Sequence, residues 1–467
     1  MSFPIAFIKQ INELLQGESE DFFSALKEPA PVSIRLNPLK KNYLKIYDSP
    51  EWTGESVPWS SFGKYLSERP SFTFDPQLHA GCYYVQEASS MFVEKAIDRA
   101  IERLGNKAEP VKMLDICAAP GGKSTLAISV LPEGSLLVAN ELIRTRANIL
   151  AENLIKWGYP NIVVTQSDTS AFSDLNDCFD LVLADVPCSG EGMFRKDPNA
   201  ISEWSEDNVK ICASRQREII KKCWPAIKQG GYLIYSTCTY NTLENEENIS
   251  WICKTLGAEV VEIAVSESWG ISGAKGEYSN LPVYRFFPHK TKGEGFFLAL
   301  LKKESDEIED TDRSNVLRSE KKSSKQKTLI PDNYRSFLRE KDIFEFSLDR
   351  LGRIVAIDKR YVSILSKFEK NLKIIQAGIT IGEIKGKDLL PDISLALTNA
   401  LDLNLVESLE LDKSNAISYL RREMLVLPVS CGLGWILIKY EGYPLGWIKN
   451  IGSRANNAWP NEWRIRT

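Results

Sequence analysis

The sequence is poor in histidine and contains no long apolar run. Its 467 residues include only two histidines, His79 and His289, which excludes a histidine-rich metal site. No stretch approaches the roughly 18 apolar residues of a membrane-spanning helix, so we expect no contact with a membrane. Residues 1–23 turn acidic early and lack both a basic start and a small-residue cleavage site, and therefore do not predict a signal peptide.

The cysteines and the overall charge also limit the function. The nine cysteines are scattered, without the paired spacing of metal sites, and their odd number favours reduced thiols in a cytoplasmic protein. A net charge of −4 argues against a protein that coats nucleic acid through charge alone, although local basic surfaces remain compatible with it. Nothing in the sequence indicates an obligate partner, so we expect a monomer.

Composition divides the chain into four predicted regions. Residues 1–75 open with two amphipathic helical patterns and a strand-like segment, SIRLNPL. Residues 304–328 have almost no apolar content and predict a charged linker, with a basic arm that orders on RNA as the alternative. Residues 76–303 alternate strand and helix patterns, which predicts a doubly wound, Rossmann-like α/β sheet. Its predicted strands are VKMLDI, SLLVAN, IVVTQS, FDLVLAD, GGYLIYS and FFLALL.

The fourth region, residues 329–467, shifts to short strands such as RIVAID and GWILIKY, with a helical pattern near ISLALTNALD. The segment from Ile417 to the end contains seven lysines and arginines but only three acids, and these basic residues are interleaved with Trp447, Trp459 and Trp463. This pattern favours a small β-rich nucleic-acid-binding module. The alternative is that the tryptophans fill a small core, and both can hold together.

A ligand site is predicted where the first strand of the sheet ends. Val111–Ser124 reads as a strand, a glycine turn and a helix start, an arrangement that lets backbone N–H groups approach a bound ligand. Glu141, Asp168 and Asp185 follow the next three strands, so all should face one crevice, although each alone could be a helix cap. A nicotinamide site is disfavoured because GxGxxG is absent, and a P-loop because the upstream glycine is missing.

Cys188 and Cys238 stand apart from the other cysteines. They lie in DVPCSG and STCTY, directly after predicted strands, and therefore at the ligand-facing edge. A thiolate at such a position suits covalent catalysis on a pyrimidine, which must be flipped out of a helix or single-stranded to be reached. Seven cysteines are expected to be core or surface residues: Cys82, Cys117, Cys178, Cys212, Cys223, Cys253 and Cys431.

These motifs resemble the Sun (Fmu/NSUN) family of RNA cytosine-5 methyltransferases. The resemblance rests on DICAAPGGKS, DVPCSGEGMFRKDP and GGYLIYSTCTYNTLENEEN, extends to RLNP, YYVQEASSM and EGFFLALLKK, and covers roughly the first 300 residues. It implies transfer of a methyl group from S-adenosyl-L-methionine to C5 of cytosine in RNA. DNA cytosine methyltransferases lack the second cysteine motif, so DNA is not an expected partner.

The resemblance also implies roles for single residues. Cys238 would be the nucleophile, Cys188 would assist product release, and Asp185 would hydrogen-bond the cytosine and share in placing the cofactor. Glu141 would bind the ribose and Asp168 the adenine. Lys123 and Arg195 would lie near the cofactor carboxylate or the RNA backbone. The methionine end would be held by the turn Cys117, Ala118, Ala119, Pro120, Gly121, Gly122 and Lys123.

The C-terminal third narrows the resemblance to the bacterial RsmF type of 16S rRNA methyltransferase. The segment PLGWIKNIGSRANNAWP implies a PUA-like RNA-binding module, and residues 1–75 would contribute to RNA binding. Two alternatives stay open. One is the same chemistry on a transfer RNA, and the other is a ribosome-assembly factor with a non-catalytic cofactor pocket.

Overall fold

The computed structural model describes residues 3–40, 54–105, 109–304, 330–386 and 388–466, whose strands form one large sheet and three small ones. In chain order the strands are β1 Val32–Leu36, β2 Gly63–Leu66, β3 Tyr83–Val85, β4 Lys112–Asp115, β5 Leu136–Asn140, β6 Ile162–Thr165, β7 Phe179–Asp185, β8 Ile227–Thr237, β9 Ala258–Val261, β10 Tyr284–Phe286, β11 Phe296–Lys303, β12 Phe344–Leu348, β13 Arg353–Asp358, β14 Ile374–Ala377, β15 Ile379–Lys385, β16 Asp388–Pro391, β17 Ser408–Leu411, β18 Gly434–Tyr440, β19 Tyr443–Asn450 and β20 Ala455–Asn457.

The α-helices of the described residues cover both faces of the large sheet and connect the smaller ones. They span Ile5–Leu15, Ser19–Ala25, Pro76–His79, Val93–Leu104, Gly122–Val130, Arg144–Trp157, Pro198–Glu203, Glu206–Cys223, Glu246–Leu256, Asp332–Arg335, Val362–Asn371, Ile393–Leu397 and Lys413–Leu420. None of the helices in these ranges is long and apolar enough to cross a membrane.

The large sheet has the order β10-β11-β8-β7-β4-β5-β6-β14, with β9 also paired to β11. The five strands β6, β5, β4, β7 and β8 are parallel, and they are almost completely buried because helices cover both faces. The predicted doubly wound, Rossmann-like core is therefore confirmed. The segment FFLALL departs from the parallel pattern: it forms β11, which runs antiparallel to both β8 and β10.

The C-terminal region adds a strand to this sheet. β14 pairs antiparallel with β6, and the helix Val362–Asn371 packs Phe368 onto the same apolar cluster as Phe179. The Phe179 and Phe368 rings stack with centroids 5.9 Å apart. Burial between distant segments thus attaches the C-terminal region to the sheet that carries the candidate site.

The last sheet, β17-β18-β19-β20, shares a core with the small N-terminal sheet β2-β1-β3. Trp459 is fully buried in that core, and Trp447 is almost fully buried in a separate cluster formed with strands β12, β13 and β15. Trp463 is half-buried, with its ring centroid 5.5 Å from that of Trp459. The tryptophans therefore pack in apolar clusters, as the alternative interpretation proposed, and Trp463 keeps part of its surface exposed. The linker predicted at 304–328 lies, apart from Glu304, outside the described residues, and the domain boundaries remain predictions.

Replacing Phe368 with alanine should loosen the attachment of the C-terminal region. The side chain is fully buried, so we expect Phe368→Ala to lower the free energy of unfolding by about 3–5 kcal/mol. Urea denaturation followed by tryptophan fluorescence measures the change. Ser363→Ala, at an exposed position of the same helix, is the control, and equal stability of the two variants would contradict this account of the interface.

Candidate active site

The turn between β4 and the helix Gly122–Val130 is narrow and fixed. Gly121 has φ +112°, and a Cβ at Gly122 would lie 3.2 Å from the Tyr84 ring. Ala118 N donates to Asn140 O at 2.8 Å, which ties the turn to the end of β5. The first N–H groups of a helix have no partner within it. The turn can therefore present them to a carboxylate, as the sequence predicted for Cys117–Lys123.

Asp115, the last residue of β4, is an unusual buried acid. Its Oδ2 accepts from Ser124 Oγ at 2.6 Å, while Oδ1 has no hydrogen-bond partner among the described residues. The pKa of Asp115 is raised to about 7, mainly by burial. The hydrogen bond from Ser124 lowers the pKa, and the nearby charge of Asp185 adds to the rise. A buried acceptor without a partner needs a donor. A ligand that carries an ammonium group, such as an amino acid, fits this requirement.

Glu141 and Asp168 follow β5 and β6 as predicted, but in different surroundings. Glu141 is 5% exposed, accepts from Ile143 N at 2.9 Å and lies 3.5 Å from the Arg146 guanidinium. The side chain of Asp168 is 52% exposed, and its Oδ1 accepts from both N and Oγ of Ser170. Asp168 therefore caps a short helix at the mouth of the crevice, while Glu141 lies deeper.

Lys123 and Asp185 form an ion pair across the crevice. Lys123 Nζ lies 2.7 Å from Asp185 Oδ2, and Ser236 Oγ donates to Asp185 Oδ1 at 2.8 Å. Burial alone would lower the pKa of Lys123, but the charge of Asp185 and its hydrogen bond outweigh burial and raise it. Lys123 thus remains an ammonium, and it joins the glycine turn to the end of β7.

Cys188 and Cys238 meet at the ends of β7 and β8. Their Sγ atoms are 3.1 Å apart, and Cys238 N donates to Cys188 Sγ at 3.4 Å. This separation exceeds the roughly 2.05 Å of a disulfide, and both are free thiols. The hydrogen bond with Cys238, reinforced by burial, raises the pKa of Cys188 well above its usual range, so Cys188 is a neutral thiol at neutral pH.

Arg195 does not face the crevice. Its side chain is 4% exposed, pairs with Glu294 at 3.0 Å and donates to the carbonyls of Gly293 and Ala25. It braces the N-terminal helices against the start of β11, a role that leaves it closed to an RNA backbone.

Sequence reasoning missed two acids that the structure places beside the cysteines. Glu191 and Glu244 are both fully buried and accept several hydrogen bonds within the loops that carry Cys188 and Cys238. Both lie within the motifs that carry the family resemblance, but glutamate is usually a surface residue, so their burial was not predicted. Across the described ranges, no group of three or more histidine, cysteine, aspartate or glutamate residues could hold a metal ion.

Family models match three segments of the chain. Residues 104–302 match the 16S rRNA methyltransferase RsmB/F model, residues 3–88 the N-terminal domain of 16S rRNA methyltransferase RsmF, and residues 406–465 the methyltransferase RsmF PUA domain.

Full-length relatives and solved structures agree with these matches. Ribosomal RNA small subunit methyltransferase F of Shewanella loihica is 30% identical to this chain, and the match covers 95% of this chain and 91% of that protein. The protein of the same name from Escherichia coli O127:H6 is 29% identical, and the match covers 98% of this chain and 96% of that protein. The crystal structure of a methyltransferase homologue from Pyrococcus horikoshii is 26% identical, with a TM-score of 0.55 over 65% of this chain and 96% of that one.

The raised pKa of Asp115 predicts a pH-dependent stability. Its pKa is about 7 in the folded protein against an ordinary 3.8, so between these values the folded state holds a proton that the unfolded state releases. The contribution of Asp115 to the free energy of unfolding therefore falls as pH rises from about 4 to 7, by at most about 1.4 kcal/mol per pH unit. Because asparagine does not titrate, Asp115→Asn should not show this fall in the free energy of unfolding.

Denaturation of both proteins without ligand, repeated across that pH range, measures the effect. The exposed variant Asp174→Asn serves as the control. Parallel pH profiles for wild type and Asp115→Asn would contradict the assignment of a proton to Asp115.

Proposed function

The chain belongs to the RsmF family of 16S rRNA methyltransferases, and from this premise we propose that it methylates C5 of one cytosine in 16S rRNA through a covalent intermediate. The predicted family and the predicted cofactor, S-adenosyl-L-methionine, are confirmed. The observation that carries the proposal is the pair of thiols, Cys188 and Cys238, 3.1 Å apart at the crevice edge beside the Lys123–Asp185 ion pair.

The residues present fit the cofactor. The glycine turn would hold the carboxylate of the methionine end, and Asp115 Oδ1, which has no partner among the described residues, would hold its ammonium. Glu141 would bind the ribose and Asp168 the adenine. S-adenosyl-L-methionine would supply an electrophilic methyl group. The chain's own task is then to make C5 of cytosine nucleophilic.

Cys238 performs this activation. Its thiolate adds to C6 of the ring, an S–C6 bond forms, and the electrons of the C5–C6 double bond make C5 able to take the methyl group. The Lys123 ammonium, paired with Asp185 at the end of β7, supplies positive charge at this edge of the sheet. Asp185, fixed by Lys123 and Ser236, hydrogen-bonds the cytosine ring and holds it over Cys238.

Cys188 acts after methyl transfer. The adduct breaks down when C5 gives its proton to a water molecule and the electrons of that C–H bond restore the double bond, expelling the Cys238 thiolate from C6. Cys188 lies against the departing sulfur and assists this step. Cys188 Sγ, 3.1 Å from Cys238 Sγ, is placed to reach that sulfur as it departs.

RNA recognition belongs to the flanking regions. We assign RNA binding to the N-terminal region 1–75 and to the PUA-like module within residues 329–467. The protein would act in the cytoplasm as a monomer. The catalytic residues do not distinguish ribosomal from transfer RNA, so the choice of RNA rests on family membership.

Bisulfite sequencing of total RNA from cells with and without the gene tests the reaction and the substrate. We expect one cytosine of 16S rRNA to lose protection in the deletion strain and to regain it with the wild-type gene. Loss at a transfer RNA cytosine would contradict the ribosomal substrate, and no loss at all would favour a non-catalytic assembly factor.

Alanine at each cysteine should separate attack from release. We expect Cys188→Ala to trap a covalent protein–RNA adduct, because Cys238 still attacks but departs slowly. Cys238→Ala should form neither adduct nor methylated product. Denaturing gels with labelled RNA measure the adduct. Cys253→Ala, a half-buried thiol in the helix Glu246–Leu256, is the matched control. An adduct formed by Cys238→Ala would reverse the two roles.

Basic residues near the C-terminus should contribute to RNA affinity. Arg454, Arg464 and Arg466 are exposed. Each contact between a basic side chain and a phosphate steepens the fall of log affinity with log salt concentration, by about 0.9 for a duplex and about 0.7 for a single strand. The triple alanine variant should bind 16S rRNA more weakly and with a shallower slope. Filter binding across a salt series measures both quantities, and an unchanged slope would remove these arginines from the RNA interface.

A further inference from the structure

Two buried carboxylates connect the loop that carries Cys188, residues 186–193, with the loop that carries Cys238, residues 238–245. Glu191 belongs to the first loop and accepts hydrogen bonds from the second, whereas Glu244 belongs to the second and accepts from the first. We propose that Glu244 positions Cys188 and Glu191 positions Cys238, so that each loop fixes the cysteine of the other. This inference rests on the proposed division of labour between the two cysteines.

Glu244 holds both neighbours of Cys188. Its Oε2 accepts from Ser189 N, the residue after Cys188, at 3.0 Å, and from Gln216 Nε2 at 2.6 Å. The same Gln216 nitrogen donates to the carbonyl of Pro187, the residue before Cys188, at 3.0 Å. The backbone on each side of Cys188 is therefore attached to Glu244, directly or through Gln216.

Gln216 is itself held in one orientation. Its Oε1 accepts from Tyr235 Oη at 3.0 Å and from Asn248 Nδ2 at 2.7 Å, which directs its Nε2 toward Glu244 and Pro187. The side chains of Gln216, Tyr235, Asn248 and Glu244 are all buried. The position of Cys188 thus depends on a chain of contacts that reaches back into the helices behind the sheet.

Glu191 holds the chain that follows Cys238. Its Oε2 accepts from Tyr240 N at 2.8 Å and Asn241 N at 3.0 Å. Its Oε1 accepts from Trp204 Nε1 at 3.0 Å. A separate contact, from Gly192 N to Cys238 O at 2.9 Å, fixes the backbone of Cys238 itself. A Cβ at Gly192 would lie 2.9 Å from that same oxygen, so the approach requires glycine.

The chemistry of these contacts requires ionised carboxylates. Every partner named for Glu191 and Glu244 is an N–H donor, and Asn241 Nδ2 also donates to Glu244 Oε1 at 2.8 Å. Only an ionised carboxylate accepts at both oxygens without donating. Such charge-assisted bonds are stronger than neutral ones. Glutamine has the same shape, but its NH₂ group would face other N–H groups and force the loop away. Glu→Gln therefore displaces a loop while conserving side-chain volume.

The two substitutions should fail at different steps. Glu244→Gln displaces Cys188 and leaves the attack intact, so we expect turnover to fall about 100-fold, the effect of a misplacement near 1 Å, with accumulation of the covalent adduct. Glu191→Gln displaces Cys238, so we expect a similar loss of turnover with no adduct. A general loss of folding would lower turnover and adduct together in both variants, so urea denaturation of each variant must first show wild-type stability.

The experiment uses the full-length protein with S-adenosyl-L-methionine and labelled 16S rRNA. Methyl transfer and the adduct resolved on denaturing gels are measured for both variants, beside Cys188→Ala and Cys238→Ala. Glu218→Gln, exposed on the helix that carries Gln216, should behave as wild type. Should Glu244→Gln fail to fold, Gln216→Met removes the contact to Pro187 and should also accumulate the adduct.

The outcomes distinguish a failure of the proposed mechanism from a failure of the positioning roles of Glu191 and Glu244. A Cys188→Ala variant that traps no adduct overturns the proposed mechanism and this inference with it. An adduct with Cys188→Ala but with neither Glu244→Gln nor Gln216→Met overturns the positioning role of Glu244 alone. A normal adduct level in Glu191→Gln overturns the role of Glu191.

Discussion

The parallel pairing of β7 with β8 is the constraint on which the candidate site depends. Asp185, the last residue of β7, lies in register with Ser236 of β8, and Ser236 donates a hydrogen bond to its carboxylate. Cys188 and Cys238 follow these two positions by three and two residues. Because parallel strands end at the same edge, both cysteines reach the same point, where their sulfur atoms are 3.1 Å apart. A shift in this register would separate the thiols and break the ion pair of Lys123 with Asp185.

Buried charge surrounds this point and specifies its geometry. Removing a carboxylate from water is costly unless the protein replaces its hydrogen bonds, so buried acids tolerate few arrangements of their neighbours. Glu191 and Glu244 meet this condition through backbone and side-chain N–H groups, and Asp185 through Lys123 and Ser236. The acids thus restrict where the catalytic loops can lie. Asp115 differs because one of its oxygens has no partner among the described residues, which agrees with a place reserved for a ligand.

The sequence predicted what is local and missed what depends on distant contacts. β7 at Phe179–Asp185 and the helix Ile5–Leu15 coincide with their patterns because a short apolar period defines each of them. The approach of Cys188 to Cys238 followed from strand order. β14 joins β6 across about 200 residues, and no local pattern encodes that pairing. The same holds for Trp459, whose burial against the N-terminal sheet made it a core residue, and for Arg195, whose partner Glu294 lies 99 residues along the chain.

The central claim is that Cys238 attacks the cytosine while Cys188 stands beside it. A 16S rRNA fragment with 5-fluorocytidine at the target position tests it most directly. Fluorine at C5 leaves no proton to remove, so an adduct formed by attack cannot break down after methyl transfer. The account predicts that mass spectrometry of the digested complex finds the nucleotide on the peptide containing Cys238, with the methyl group added. A nucleotide linked to Cys188, or no linkage under conditions where unmodified RNA is methylated, would contradict it.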